Sequence, residues 1–218
     1  MEESLIRGAI FDLDGTLLDS LGVWGEVDRR FFERRGLKMP SDYQAVIKGM
    51  SFIDTARYTK DLLGLKEPPE EIAMEWHEDV IGEYALSVPL KPGAGEYLRS
   101  LANRGVKLAV ATTSREELFV PCLKRNGVWE LFSAVATTDE TGESKSTGRV
   151  YRLAAERLGL CPNDCAVFED ILSGISGAKK AGFRAVCVYD PVNRDEWDAL
   201  MAASDHSITS FERTKLWI

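Results

Sequence analysis

Five short apolar and β-branched runs, at Gly8–Asp12, Val106–Thr112, Ala134–Thr137, Ala166–Glu169 and Ala185–Tyr189, recur along the chain, with helix-period segments or a long insertion between them. Strands separated by helices pair in parallel through crossovers, and a parallel sheet is covered on both faces, so its strands read as continuous apolar runs rather than alternating ones. The pattern predicts an α/β fold, a Rossmann-like parallel sheet core with helices on both faces. Each of the first four runs ends in polar residues.

Between the first and second runs, from about Leu17 to Pro89, no strand pattern occurs. Four helical patterns fill this stretch, punctuated by Gly36 with Pro40, by Gly49 with Ser51, and by Gly64 with Pro68 and Pro69. The organisation expected is a core formed by residues 1–16 and 90–218, interrupted once by an α-helical module at 17–89. Ser51 with Asp54, and Ser114 with Glu117, have the spacing of capping boxes and are expected to open helices. A helix over Gly95–Arg104 should stop at Gly105.

Charge narrows the partners. The 218 residues hold 27 Lys and Arg against 35 Asp and Glu, a net charge of −8, which removes the basic footprint of a nucleic-acid binder. An anionic substrate would therefore need local cations at its site to overcome the field of the whole molecule. The first residues carry Glu2 and Glu3 rather than a basic, then apolar leader, and no run approaches a membrane span. Cys122, Cys161, Cys165 and Cys187 are too few and too scattered for a disulfide framework, and Cys161 with Cys165 read as a loop entering a strand. The expectation is a cytoplasmic protein, a monomer or weak homo-oligomer, with a small-molecule partner and neither nucleic acid nor membrane.

The chemistry sits at the strand ends. Ala9-Ile10-Phe11 runs into Asp12-Leu13-Asp14-Gly15-Thr16, two carboxylates two positions apart where a buried strand meets a glycine turn. Burying both is costly unless a metal or a shared proton compensates, although the same residues also read as a simple turn with Asp12 capping a helix. A second acidic pair, Glu169-Asp170, ends the run Ala166-Val167-Phe168. In open α/β sheets ligands bind beyond the carboxyl ends of strands, so the two pairs meet if their strands are neighbours, and an all-oxygen donor set suits magnesium. Thr112 ends another run, with Thr113 and Ser114 just beyond it at a helix start that can take phosphoryl oxygens. Lys145 lies in Gly142-Glu143-Ser144-Lys145-Ser146, a stretch that by itself reads as solvated surface.

Taken in order, Asp12-x-Asp14-Gly15-Thr16, Thr112, Lys145 and Glu169-Asp170 resemble the four motifs of the haloacid dehalogenase superfamily. The helical insertion stands where the α-helical cap stands in its β-phosphoglucomutase-like and phosphoglycolate-phosphatase-like members. The resemblance implies a magnesium-dependent phosphatase of small phosphate monoesters. Asp12 would be the nucleophile and a metal ligand. Asp14 would be the acid and base, with its backbone also on the metal; Thr112 and Lys145 would hold the phosphoryl group; and Asp170 with Glu169 would complete the metal site. Trp24, Lys48, Met50 and Phe52 would face the substrate from the cap, and Leu17–Ser20 and Val88–Gly93 would form the hinge. Trp24 also reads as an aromatic packed inside the cap.

Two departures stand out. Relatives follow the motif lysine with a proline-rich stretch ending in aspartate, whereas Lys145 is followed by Ser146, Thr147, Gly148 and Arg149. β-Phosphoglucomutases resemble the chain around Lys48-Gly49-Met50-Ser51 but place an arginine where Phe52 stands and a histidine where Trp24 stands. Without a second phosphate grip, hydrolysis is expected over a β-phosphoglucomutase-type transfer, and sugar or polyol phosphates are the expected substrates. A non-catalytic phosphate-responsive module would have no need of so many clustered carboxylates.

Overall fold

The computed structural model describes residues 6–47 and 52–214. It separates into two compact units, one built from the chain up to Ser20 and from Val88 onward, the other from Leu21–Ser87. The first holds one parallel sheet: β1 (Gly8–Phe11), β2 (Lys107–Thr112), β3 (Phe132–Thr137), β4 (Cys165–Glu169), β5 (Arg184–Val188) and β6 (His206–Ile208), in the order β3-β2-β1-β4-β5-β6. All the pairs are parallel. Five of these strands match the apolar runs to within two residues. The sixth was not expected: it is a three-residue edge strand with an exposed start, too short for its period to register.

The Leu21–Ser87 unit consists, among the described residues, of α1 (Leu21–Arg34), α2 (Tyr43–Ile47), α3 (Phe52–Leu63) and α4 (Pro69–Leu86). Val27, Phe31, Phe32, Tyr43, Trp76 and Val80 are buried together, with Phe31 edge-on to Trp76 at 5.2 Å and Phe32 edge-on to Tyr43 at 5.0 Å. Side chains of this kind contribute about 1.5–3 kcal/mol each when fully buried, and the edge-on pairs add a little more. Asp28 is the buried acidic residue of this interior among the described residues, on α1 and accepting a hydrogen bond from Gln44 of α2.

In the sheet unit, α5 (Ala94–Asn103), α6 (Glu116–Arg125), the short α7 (Thr138–Thr141), α8 (Arg149–Leu158), α9 (Leu172–Lys180) and α10 (Trp197–Ala203) cover the strands. Side chains alternate across a strand, and the two faces follow from that. Ile10, Ala109, Val167 and Ala185 pack with Tyr151 and Ala154 of α8 and Ile175 of α9. Phe11 stacks on Phe168 at 4.2 Å, and Tyr97 of α5 lies edge-on to Phe168. No described helix is long and apolar enough to cross a membrane.

Candidate active site

The strand order decides what meets. β1 lies between β2 and β4, and Phe11 is in register with Val110 on one side and Phe168 on the other. The residues just past these pairs therefore share one end of the sheet: Asp12 from β1, Thr112 from β2, Glu169 and Asp170 from β4. The Asp12 amide extends the ladder, donating to the Phe168 carbonyl at 3.0 Å. Beyond it the chain turns sharply, with the Leu13 carbonyl accepting from the amides of Thr16, Leu17 and Leu18. Gly15 takes φ +80° in this turn, a conformation open to glycine at little cost. The turn swings the Thr16 hydroxyl back over the strand end, 3.0 Å from Asp170 Oδ1 and 3.3 Å from Asp12 Oδ2.

Asp12, Glu169 and Asp170 are all buried, and one carboxylate oxygen of each lies within 4.8 Å of the others. Lys145, itself buried, places its ammonium between Asp12 Oδ1 and Glu169 Oε1. Glu169 Oε1 also accepts the Tyr151 hydroxyl at 2.9 Å. Three buried carboxylates thus face one buried ammonium. Burial pushes Asp12 well above the usual carboxylate range, and although Lys145 pulls it down, Glu169, Asp170 and Asp14 push it further up. Asp170 is raised to about 7, by burial first and Glu169 second. Burial would lower the Lys145 ammonium, but Asp12 and Glu169 together outweigh it and hold its pKa above the ordinary lysine value. A cluster with this surplus of buried negative charge and only oxygen donors fits a hard divalent cation.

The lysine arrives here through a short 3-10 turn, Lys145–Thr147, laid against α9. A Cβ on Gly177 would stand 1.9 Å from the Lys145 carbonyl oxygen, and one on Gly174 would stand 2.6 Å from the Glu169 carboxyl carbon. The two glycines of α9 let the turn and the buried carboxylate approach the helix backbone this closely.

On the β2 side, Thr112 is buried and its hydroxyl accepts the Ser114 amide at 3.0 Å. Ser114 was expected to cap α6 in a box with Glu117, and this is corrected: the helix begins at Glu116, its cap residue Arg115 makes no side-chain cap bond, and the Ser114 hydroxyl donates to Asp14 Oδ2. A nearby carboxylate is a stronger acceptor for a hydroxyl than a backbone amide is a donor to it. Ser20 donates to the other oxygen, Asp14 Oδ1, at 2.7 Å. Each Asp14 carboxylate oxygen thus accepts a serine hydroxyl. Thr113 and Lys145 line an open cavity of about 600 Å³ together with Thr138, Ser144, Ile171 and Ser173.

Residues 9–188 match the family model of the haloacid dehalogenase-like hydrolases. The chain belongs to this family. Among relatives of this haloacid dehalogenase-like chain, Bacillus subtilis YhcW is 30% identical over 213 residues, 97% of this chain and 95% of that protein. The phosphorylated carbohydrates phosphatase of Thermotoga maritima is 28% identical over 181 residues, 83% of this chain and 84% of that protein. A crystal structure from Thermotoga maritima superimposes with a TM-score of 0.85 at 27% identity, covering 95% of this chain and 96% of that one.

In this haloacid dehalogenase-like hydrolase the sheet unit brings together Asp12, Asp14, Thr112, Thr113, Ser114, Lys145, Glu169 and Asp170. The four cap positions are another matter. Trp24 lies on α1 with 40% of its surface exposed. Lys48 and Met50 lie outside the described residues, as does Ser51 of the expected capping box, and the Phe52 side chain is likewise not described. Four residues at the site carried no site role from sequence: Thr16, Ser20, which was placed only in the expected hinge, Tyr151 and Asn193, the last donating to Asp170 Oδ2 at 2.7 Å. Thr16 stood inside the quoted motif, so its position was visible. Nothing local distinguishes Tyr151 within α8, or Asn193 within its polar loop.

Proposed function

We propose that this chain is a magnesium-dependent phosphatase of small phosphate monoesters, with sugar or polyol phosphates as substrates and an aspartyl-phosphate intermediate on Asp12. The observation that carries the proposal is the buried cluster of Asp12, Glu169 and Asp170 with Lys145 between two of them. Asp12, Glu169, Asp170 and the backbone of Asp14 would hold Mg2+, which when bound supplies the positive charge that the cluster and a phosphate dianion both lack.

Asp12 attacks phosphorus through one carboxylate oxygen, and the bond to the leaving oxygen breaks. Asp14, steadied by Ser20 and Ser114, gives that oxygen a proton and then takes one from the water that hydrolyses the intermediate. Lys145, the Thr112 hydroxyl and the amide at Thr113 take the phosphoryl oxygens, the Ser114 amide being engaged with Thr112. The Leu21–Ser87 unit is read as the cap that selects the leaving group, with Trp24, Lys48, Met50 and Phe52 as its substrate-facing residues. Similarity to a phosphatase named for phosphorylated carbohydrates supports the substrate class. Phe52 and Trp24, standing where a phosphosugar mutase needs an arginine and a histidine, favour hydrolysis over transfer.

The test is phosphate release from a panel of sugar, polyol and nucleotide monophosphates, with and without Mg2+, beside Asp12→Asn. Release that needs Mg2+ and vanishes in Asp12→Asn is the expected result. A folded wild-type protein releasing no phosphate from any panel member with Mg2+ present overturns the reading.

A further inference from the structure

Asp170 is gripped at both carboxylate oxygens. Thr16 donates to Oδ1 at 3.0 Å, and Asn193 Nδ2 donates to Oδ2 at 2.7 Å while also reaching the Asp170 backbone carbonyl at 3.3 Å. Each oxygen of an ionised carboxylate has two lone pairs, so one donor on each fixes the plane of the group and leaves the other pair open to a cation. An amide suits this place. It donates without bringing a charge that would compete for the cation or repel the carboxylate.

Asn193 is itself held. It lies in the 3-10 segment Pro191–Glu196 that follows β5, at the point where the segment kinks to φ −97°, ψ 17°. The segment starts at Asp190, whose Oδ1 accepts the Val192 amide at 2.8 Å and whose backbone carbonyl accepts the Asn193 amide at 3.1 Å. Asp190 Oδ2 is paired with the Lys91 ammonium at 2.9 Å, with the Asp190 side chain 3% exposed and that of Lys91 11% exposed. Lys91 also donates through Nζ to the Tyr189 carbonyl at 2.8 Å and through its backbone amide to the Leu17 carbonyl at 2.8 Å. A buried ion pair adds little net stability against an apolar alternative, because desolvating its charges offsets their attraction, so what this one supplies is a defined geometry.

We propose that Asn193 is a positioning residue for Asp170, and that the Lys91–Asp190 ion pair holds Asn193 in place, so that residues outside the family motifs set the affinity of the cation site. The inference rests on the reading of Asp12, Glu169 and Asp170 as that site. Partners that orient a metal ligand change metal affinity by about 10–100-fold when removed. Asn193 is half-buried and within hydrogen-bond reach of one ligand only, so its truncation tests orientation with little disturbance of packing.

The experiment is calorimetric titration of the full-length protein with Mg2+ in the absence of substrate, for wild type, Asn193→Ala and Lys91→Met. Asn193→Ala is expected to weaken Mg2+ binding by about 10–100-fold and Lys91→Met by a smaller factor, both keeping the wild-type circular dichroism. Raising Mg2+ should return kcat of Asn193→Ala to near the wild-type value, which damage to the fold would not allow. If folded Asn193→Ala binds Mg2+ within twofold of wild type, the positioning role is wrong while the metal site stands, and Asn193→Ala decides the matter even where Lys91→Met fails to fold. If wild type binds no Mg2+, the metal reading fails and this inference fails with it.

Discussion

The carbonyl oxygen of Lys145 rests on the Cα of Gly177, so close that a Cβ there would stand 1.9 Å away. The obstacle is backbone rather than the end of a flexible side chain, so no rotamer change relieves it. Gly177→Ala must displace either α9 or the turn that carries Lys145, and overpacking of this kind costs about 1–3 kcal/mol. Urea unfolding should report a loss at the upper end of that range, and phosphate release should fall because the ammonium moves off Asp12. Gly82, inside α4 with nothing within 4 Å of its notional Cβ, is the contrast: Gly82→Ala should stabilise by up to about 1 kcal/mol. Equal stability changes at the two positions would contradict the close-approach argument.

Among the described residues, Lys145 alone brings an ammonium into contact with the Asp12 and Glu169 carboxylates. Lys145→Met keeps the apolar stem and removes the charge, leaving carboxylates buried without their partner, a change worth about 3–5 kcal/mol. The pH dependence follows from direction. Asp12 and Asp170 already have raised pKa values, Asp170 about 7, and losing Lys145 raises them further. A folded-state pKa above the unfolded one means stability is present at low pH and lost as pH rises through the folded value. In EDTA, Lys145→Met should therefore lie closest to wild type near pH 5 and fall furthest behind it at pH 8. A deficit independent of pH would show that the lysine acts by packing alone. With Mg2+ present, the variant should lose at least about 100-fold in phosphate release.

The strand ends were readable because a buried parallel strand has no choice but to be apolar throughout and to become polar where it leaves the sheet; Asp12, Thr112 and Glu169 all sit at that transition. Lys145 was readable only from its place in the order of motifs. Its neighbours look solvated, and what buries it is contact with α9, which local composition does not encode. Ser114 shows the opposite difficulty: its spacing to Glu117 fits a capping box, yet the fold offers its hydroxyl the Asp14 carboxylate, and the tertiary acceptor wins. Asn193 gives no signal at all, since its role depends on a kink 23 residues beyond Asp170.

Tyr97 packs its ring between Phe168 at 6.0 Å and Phe211 at 5.2 Å, and its hydroxyl is buried with no hydrogen-bond partner among the described residues. Burying an unpaired hydroxyl costs about 1–3 kcal/mol, so removing it while keeping the ring should help. Tyr97→Phe is expected to raise the thermal midpoint by a few degrees or leave it unchanged. A loss greater than about 1 kcal/mol would mean that the hydroxyl has a partner in solution.

Asp28 makes the helical unit sensitive to acid in the direction opposite to a salt-bridged carboxylate. Burial raises its pKa from 3.8 to about 6, with the Gln44 hydrogen bond offsetting only part of the effect. Below about pH 4 the carboxyl is protonated in both folded and unfolded chains and nothing is lost. Between 4 and 6 the folded chain holds a proton that the unfolded chain releases, so stability declines as pH rises, and above 6 the unit must bury a charge. Asp28→Asn keeps the shape and the acceptor for Gln44 while removing the titration. At pH 8 it should be more stable than wild type by about 1–2 kcal/mol, a range reduced from the full shift because water reaches part of the site. Near pH 4 the two should coincide. Unfolding curves that stay parallel from pH 4 to pH 8 would show that Asp28 titrates in the folded protein as it does in the unfolded one.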